Sequence, residues 1–238
     1  MGFEALAPEH FEALRSLNTC QISDGIETFG VRLRNEGFVR NGIRCLFPDL
    51  PPLLGYAVTA KIRTDEPPMT GKSFPDRVDW WNFLLSVPSP RIVVLQDVGK
   101  SPGVGSCAGE VHSHIFKSLA CTGLVTNGAV RDLPAVKAMG FSLFATKVAV
   151  SRAYYHMLEF GRPVDIGELK IQPGDLLQGD QHGIISVPIS IATEIPAAAA
   201  RIAELERNVI DVAASPNSSL ESLRDAVRRS FGRDRFQY

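Results

Sequence analysis

The sequence has no CxxC pair: its four cysteines, Cys20, Cys45, Cys107 and Cys121, are scattered along 238 residues. That spacing excludes a zinc knuckle and a thioredoxin-like motif, and it predicts buried free thiols in a reducing cytoplasm. Long apolar runs are missing too. None approaches the ~18 residues of a membrane-spanning helix, and the amino terminus, MGFEALAPEHFEALRSL, is amphipathic rather than a charged start before an apolar stretch. No membrane partner is expected. Net charge is nearly absent: 25 basic and 26 acidic side chains leave −1. Without a global field of either sign nucleic acid is not an expected partner, and small anions must be held locally. A mild basic bias appears only between Glu221 and Tyr238, where Arg224, Arg228, Arg229, Arg233 and Arg235 stand among three acids. It reads as a solvated helix face or as a tail contact.

What is present is ordinary globular material. Hydrophobic residues make up 45% and charged residues 21%, enough to bury a sizeable core and unlike a disordered or collagen-like chain. The length exceeds the usual ~100–200 residues of one domain, but α/β folds often run on undivided. One domain over residues 1–213 is expected, with a helical extension over 214–238 after the linker-like segment Ala214-Ser-Pro-Asn-Ser-Ser219.

Pro8 opens a helix over 8–17, and Asn18 with Thr19 breaks and caps a second over 19–29 that Gly30 closes. Tyr56–Arg63 alternates apolar and polar residues, as a half-buried strand does. Helices near 78–87, 110–121 and 133–139 alternate with strands at 91–96, 123–126 and 141–145. Such alternation predicts parallel strands with covering helices. Beyond residue 160 the segments 164–171, 175–177 and 183–187 read as a β-rich layer. From Ile195 onward Ala198, Ile202, Leu205, Val209 and Val212 form one apolar helical seam, able to pack inside the subunit or on a neighbour.

Chemistry concentrates in two places. Val98–Gly109 is a glycine-rich loop between a strand and a helix, a candidate anion cradle or merely a set of tight turns. Its spacing is GxGxxxG, and no acid stands at a second strand end to grip a ribose, so a dinucleotide or methyl-donor fingerprint is lacking. Glu110 opens the next helix, and after 20 intervening residues Arg131-Asp132 stands at a strand end. Arginine offers a planar fork for a carboxylate; aspartate offers hard oxygen to Mg²⁺, which takes one or two carboxylates and keeps several waters. Together they would hold a 2-oxo acid at the carboxyl edge of a parallel sheet. The plainer reading of adjacent Arg and Asp is a contact within a turn.

The acid-x20-Arg-Asp spacing, with Thr122-Gly-Leu-Val-Thr-Asn-Gly-Ala-Val-Arg-Asp132, resembles the core of the RraA-like family. Gln21-Ile-Ser-Asp-Gly25, Gly55-Tyr-Ala-Val-Thr59 and Pro173-Gly-Asp-Leu-Leu-Gln-Gly-Asp-Gln-His-Gly183 resemble its other motifs in order, over about residues 15–212. The resemblance implies a compact α/β/β/α sandwich of the swivelling phosphohistidine-domain type with terminal helices, assembled as homotrimers or hexamers with sites at subunit interfaces.

Carried onto this sequence, it makes Asp132 the ligand of Mg²⁺ or Mn²⁺, Arg131 the grip on the substrate carboxylate, and Glu110 the acid near metal-bound water. The amides of Val111 and His112 would bind substrate, and Glu206 of an adjacent chain would approach the metal through water. The implied activity is that of a divalent-metal-dependent 4-hydroxy-4-methyl-2-oxoglutarate aldolase: retro-aldol cleavage of a 2-oxo acid to pyruvate, with oxaloacetate decarboxylation as a side activity. A non-enzymatic regulator that binds an RNA-degrading enzyme is the family's other role. Ala135, where many members carry an acid, and the unusual stretch Thr64–Asp79 leave the substrate open. His112 and His114 near the helix start read as surface residues, and His156 and His182 have no spaced partner.

Overall fold

The computed structural model describes residues 5–69 and 75–232. Part of the Thr64–Asp79 stretch, residues 70–74, and the tail 233–238 with Arg233 and Arg235 lie outside the described residues.

The chain begins with two short helices, α1 (Pro8–Arg15) and α2 (Thr19–Glu27). Asn18 caps α2 reciprocally: Gln21 N donates to Asn18 Oδ1, and Asn18 N donates to Gln21 Oε1. Next come β1 (Arg44–Cys45), β2 (Leu53–Arg63), α3 (Arg77–Ser86) and β3 (Arg91–Asp97). A second run follows: β4 (Ser106–Ala108), α4 (Glu110–Ser118), β5 (Cys121–Thr126), β6 (Ala129–Val130), α5 (Leu133–Ala138), β7 (Ser142–Ala145) and β8 (Lys147–Val148). The last third holds β9 (His156–Phe160), β10 (Val164–Ile166), β11 (Leu169–Ile171), β12 (Leu176–Asp180), β13 (Gly183–Val187), α6 (Ile195–Ala214) and α7 (Leu220–Phe231).

The main sheet runs in the order β1-β7-β5-β3-β2-β12-β13, with β9 also on β2. Its centre, β2, β3, β5 and β7, is parallel, as the strand–helix alternation predicts. β2 departs from the half-buried strand expected of Tyr56–Arg63. It starts at Leu53 and is buried almost throughout. Even-numbered Leu54, Tyr56, Val58, Ala60 and Ile62 enter the core under the helices, whereas Leu53 and Ala57 enter a second core with Val164, Ile166, Leu169 and Ile171. Both faces of a central parallel strand are covered, so polar alternation disappears. Only β10 and β11 form that covering hairpin; β12 and β13 extend the main sheet, with Leu176 opposite Tyr56. The β-rich layer expected after residue 160 is therefore divided.

Buried free thiols are found at Cys107 and Cys121, but Cys20 is exposed on α2 and Cys45 is half-buried. Cys20 sits at the second position of the helix, turned from the face that packs Ile22 and Ile26 inward. α6 buries Ile195, Ala199 and Ile202 and packs on α1, α2 and α7; of the apolar seam only Ile202 is buried, while Ala198, Leu205, Val209 and Val212 are half-buried. Asn208 Nδ2 donates to Ser230 Oγ across the α6–α7 contact. Among the described residues no helix is long and apolar enough to cross a membrane.

Candidate active site

Three strands too short to read from sequence build the site. β4, β6 and β8 form a separate parallel sheet in that order, with Ala108 opposite Val130 and Val130 opposite Val148. Arg131 N donates to Ala108 O at 3.0 Å, and Ala149 N to Val130 O at 3.0 Å. The chain thus leaves this ribbon at Gly109, Arg131 and Ala149 along one carboxyl edge. The expected meeting of Glu110, Arg131 and Asp132 is present, but it lies on this small ribbon and not on the main sheet.

Asp132 precedes α5 in a left-handed conformation, φ 57° and ψ 37°, a region that aspartate enters more readily than most L-residues. Its side chain does not cap α5. Oδ2 instead accepts a hydrogen bond from Glu110 N at 3.1 Å and lies 3.4 Å from Arg131 Nε. α4 has Gly109 at its N-cap and no side chain there to serve its first amides, so Asp132 supplies the acceptor from across the ribbon. Gly109 is extended, and glycine is needed there for space alone: a Cβ would fall 2.3 Å from Asp132 Oδ2. Arg131 is about a quarter exposed, and its Nη1 reaches Val150 O at 3.4 Å.

Asp132 Oδ1 accepts no hydrogen bond from the described residues and, with the exposed Glu110 beside it, is open to solvent. The described residues hold no group of three or more His, Cys, Asp or Glu side chains able to cage a metal. A closed zinc-type site does not fit them. A hydrated Mg²⁺ or Mn²⁺ on one carboxylate oxygen does fit. The amides of Val111 and His112, in the first turn of α4, have no acceptor within the helix and face the same edge.

The glycine-rich loop does not offer the anion cradle that its composition suggests. Gly99 N and Gly103 N donate to the buried Asp97 carboxylate at 3.1 and 2.9 Å, and Gly105 N donates to Thr64 Oγ1 at 3.2 Å. Ser101 N donates to Asp65 Oδ2 at 3.2 Å. The protein's own carboxylates already occupy the place of an external anion. Glu206 is exposed on α6, which packs chiefly on α1, α2 and α7, and among the described residues no hydrogen bond or ion pair joins it to Asp132. Of the histidines, His114 is exposed as expected, and His182 bonds to Asp180. His112 departs from the surface reading.

His112 lines a cleft of about 470 Å³ between the start of α3, one face of α4 and the segment entering β9. Its ring lies 5.6 Å from that of Tyr155, edge to face, and 6.2 Å from that of Phe116. Burial lowers the His112 pKa, and the charges of Arg152, Arg77 and Arg131 lower it further. Sequence reasoning missed Arg77, Trp80, Trp81, Arg152, Tyr155 and His156 in this cleft. The arginine three residues before a tryptophan pair was the one visible signal; the rest come together only through the fold.

The RraA-like family model, described as Aldolase/RraA, matches residues 19–186. An uncharacterised protein of Methanocaldococcus jannaschii is 25% identical over 180 residues, 71% of this chain and 76% of that one. A Halalkalibacterium halodurans protein with the provisional name 4-hydroxy-4-methyl-2-oxoglutarate aldolase is 33% identical over 102 residues, 42% of this chain and 48% of its own length. The match thus spans about half of that relative. The crystal structure of Streptomyces coelicolor RraAS2, described as an unusual member of the RNase ES inhibitor RraA protein family, superposes with a TM-score of 0.66 at 23% identity, covering 87% of this chain and 98% of that one. That likeness speaks for the mixed α/β fold.

Proposed function

From the RraA-like family, to which this chain belongs by its match over residues 19–186, we propose a divalent-metal-dependent carbon–carbon lyase that releases pyruvate from a 4-hydroxy-2-oxo acid. The observation that carries this reading is the convergence of Glu110, Arg131 and Asp132 on one strand edge, with Asp132 Oδ1 left open.

Asp132 would hold Mg²⁺ or Mn²⁺ with waters completing the shell, and the ion would supply Lewis acidity toward the 2-oxo group. Arg131 grips the C1 carboxylate, fixed in place by Val150 O and the Asp132 carboxylate. The free amides of Val111 and His112 orient the same end of the substrate. Glu110 accepts the proton of the C4 hydroxyl; the C4–O bond becomes a carbonyl as the C3–C4 bond breaks, and the electron pair passes into the enolate of pyruvate. Protonation at C3 completes the product. Loss of carbon dioxide from oxaloacetate gives the same enolate, so decarboxylation is the expected side activity. The chain forms trimers or pairs of trimers of the α/β/β/α, swivelling-domain kind in this reading, and Glu206 of one copy approaches Asp132 of the next.

Proton NMR of pyruvate in D₂O with the purified protein and Mg²⁺ tests the proposal. The methyl signal should decay as enolisation exchanges its protons. A methyl signal that stays at the protein-free rate, with folded protein and metal present, would refute a pyruvate lyase.

A further inference from the structure

The cleft beyond His112 is built for more than a methyl group. Its lining combines the aromatic side chains of Trp80, Trp81 and Tyr155 with two arginines, Arg77 and Arg152; α3 supplies Arg77 and both tryptophans, and the segment entering β9 supplies Arg152 and Tyr155. Among the described residues neither guanidinium forms an ion pair or a side-chain hydrogen bond. The one acid lining the cleft, Asp76, already accepts from Val78 N at 2.6 Å as the cap of α3. Val111 and His112, which follow Glu110 in the first turn of α4, line the cleft, so it adjoins the edge that carries Arg131 and Asp132. Its volume, about 470 Å³, is within the ~300–1,000 Å³ of small-molecule sites.

Flat rings suit planar apolar ligands, and guanidinium forks suit carboxylates. Two arginines with no acidic partner among the described residues, beside three large aromatic side chains, therefore match a ring that carries an anionic group. We propose that this cleft is a subsite for an aromatic carboxylate, the distal part of the substrate. Resting on the lyase reading above, the substrate class is then a 4-aryl-4-hydroxy-2-oxobutanoate with a carboxylate on the ring. Its O4–H proton passes to the base, C3–C4 breaks into the pyruvate enolate, a proton adds at C3, and an aryl aldehyde leaves. The ligand class of the cleft itself does not depend on that chemistry.

Trp80 and Trp81 are the only tryptophans of the chain, so its indole fluorescence reports this cleft alone. Full-length protein in EDTA is titrated with phthalate, and with cyclohexane-1,2-dicarboxylate as the non-aromatic control; calorimetry checks the affinity. Phthalate should change the emission saturably and bind more tightly than the control. Arg152→Ala, and independently Arg77→Gln, should each weaken it about tenfold, as expected for loss of a charge-assisted contact. No saturable response, equal affinity for the two acids, or unchanged affinity in both variants with wild-type circular dichroism would overturn the subsite. Pyruvate methyl exchange is measured in parallel. Phthalate binding without exchange sinks the lyase and leaves the cleft; exchange without phthalate binding does the reverse.

Discussion

Glu110 and Asp132, 22 residues apart, are joined by a 3.1 Å hydrogen bond from the amide of the first to Oδ2 of the second. The bond leaves the Glu110 carboxylate and Asp132 Oδ1 both free at the same edge, and it depends on Gly109, whose missing Cβ makes room for Oδ2.

Gly109→Ala should therefore damage the site more than the fold. The added methyl, 2.3 Å from Oδ2, must push Asp132 away from Glu110. Activity should fall by about tenfold or more, with metal titrations weakened, because an ångström of misplacement suffices for such losses. Thermal melting should move by only a few degrees. Wild-type kcat/KM would show that Asp132 does not need this bond.

Arg131→Lys should lower kcat/KM at least about tenfold, roughly 1.4 kcal/mol of transition-state binding. An ammonium cannot reproduce the planar, two-pronged contact with a carboxylate that a guanidinium fixed by the Val150 carbonyl can make. Steady-state kinetics on a 4-hydroxy-2-oxo acid decides it, and an unchanged value would make Arg131 structural.

Chelation should abolish turnover, and Mg²⁺ or Mn²⁺ should restore it, since one carboxylate oxygen with waters suits hard cations. Asp132→Asn should remain inactive after the same addition while keeping its melting temperature, because asparagine also tolerates the left-handed backbone. Full activity after exhaustive EDTA treatment would contradict the mechanism.

Mixing Asp132→Ala with Glu206→Ala subunits should restore activity above that of either parent if Glu206 serves a neighbour's Asp132. Within one chain α6 packs on α1, α2 and α7 and leaves Glu206 exposed. Failure to complement in mixed oligomers verified by mass spectrometry, with both parents inactive, would place Glu206 outside the site.

Stability should respond to acid through Asp180, far from the chemistry. Burial opposes its ionisation, but hydrogen bonds from the Thr19 and His182 amides and side chains outweigh this and hold its pKa below the ordinary aspartate value. A depressed folded-state pKa gives stability that is complete above the unfolded value, ~3.9, and lost as pH falls through the folded one. Asp180→Ala should cost about 2–3 kcal/mol at neutral pH, the worth of hydrogen bonds to a charged group. Urea titrations should show the gap narrowing below about pH 4. A gap that stays constant down to pH 2 would show that the charge is not what docks α2 on β12.

The sequence by itself determined what local chemistry can encode. Asn18 opens α2 and strand–helix alternation sets the parallel centre, because each depends on nearby residues or on periodicity, whereas the acid-x20-Arg-Asp spacing points to a site only through its resemblance to the RraA-like family. Tertiary structure decided the rest. β4, β6 and β8, two or three residues each, have no readable period and exist only because they pair with one another. Asp97, two and six residues before Gly99 and Gly103, and Asp65, 36 residues before Ser101, claimed the amides of the glycine-rich loop, a choice that glycine spacing cannot express. The cleft, too, joins Arg77 and Trp80 to His112 and to Arg152 and Tyr155, side chains separated by dozens of residues. Free amides and guanidinium groups are alike in any sequence; what they face is fixed only when the backbone closes around them.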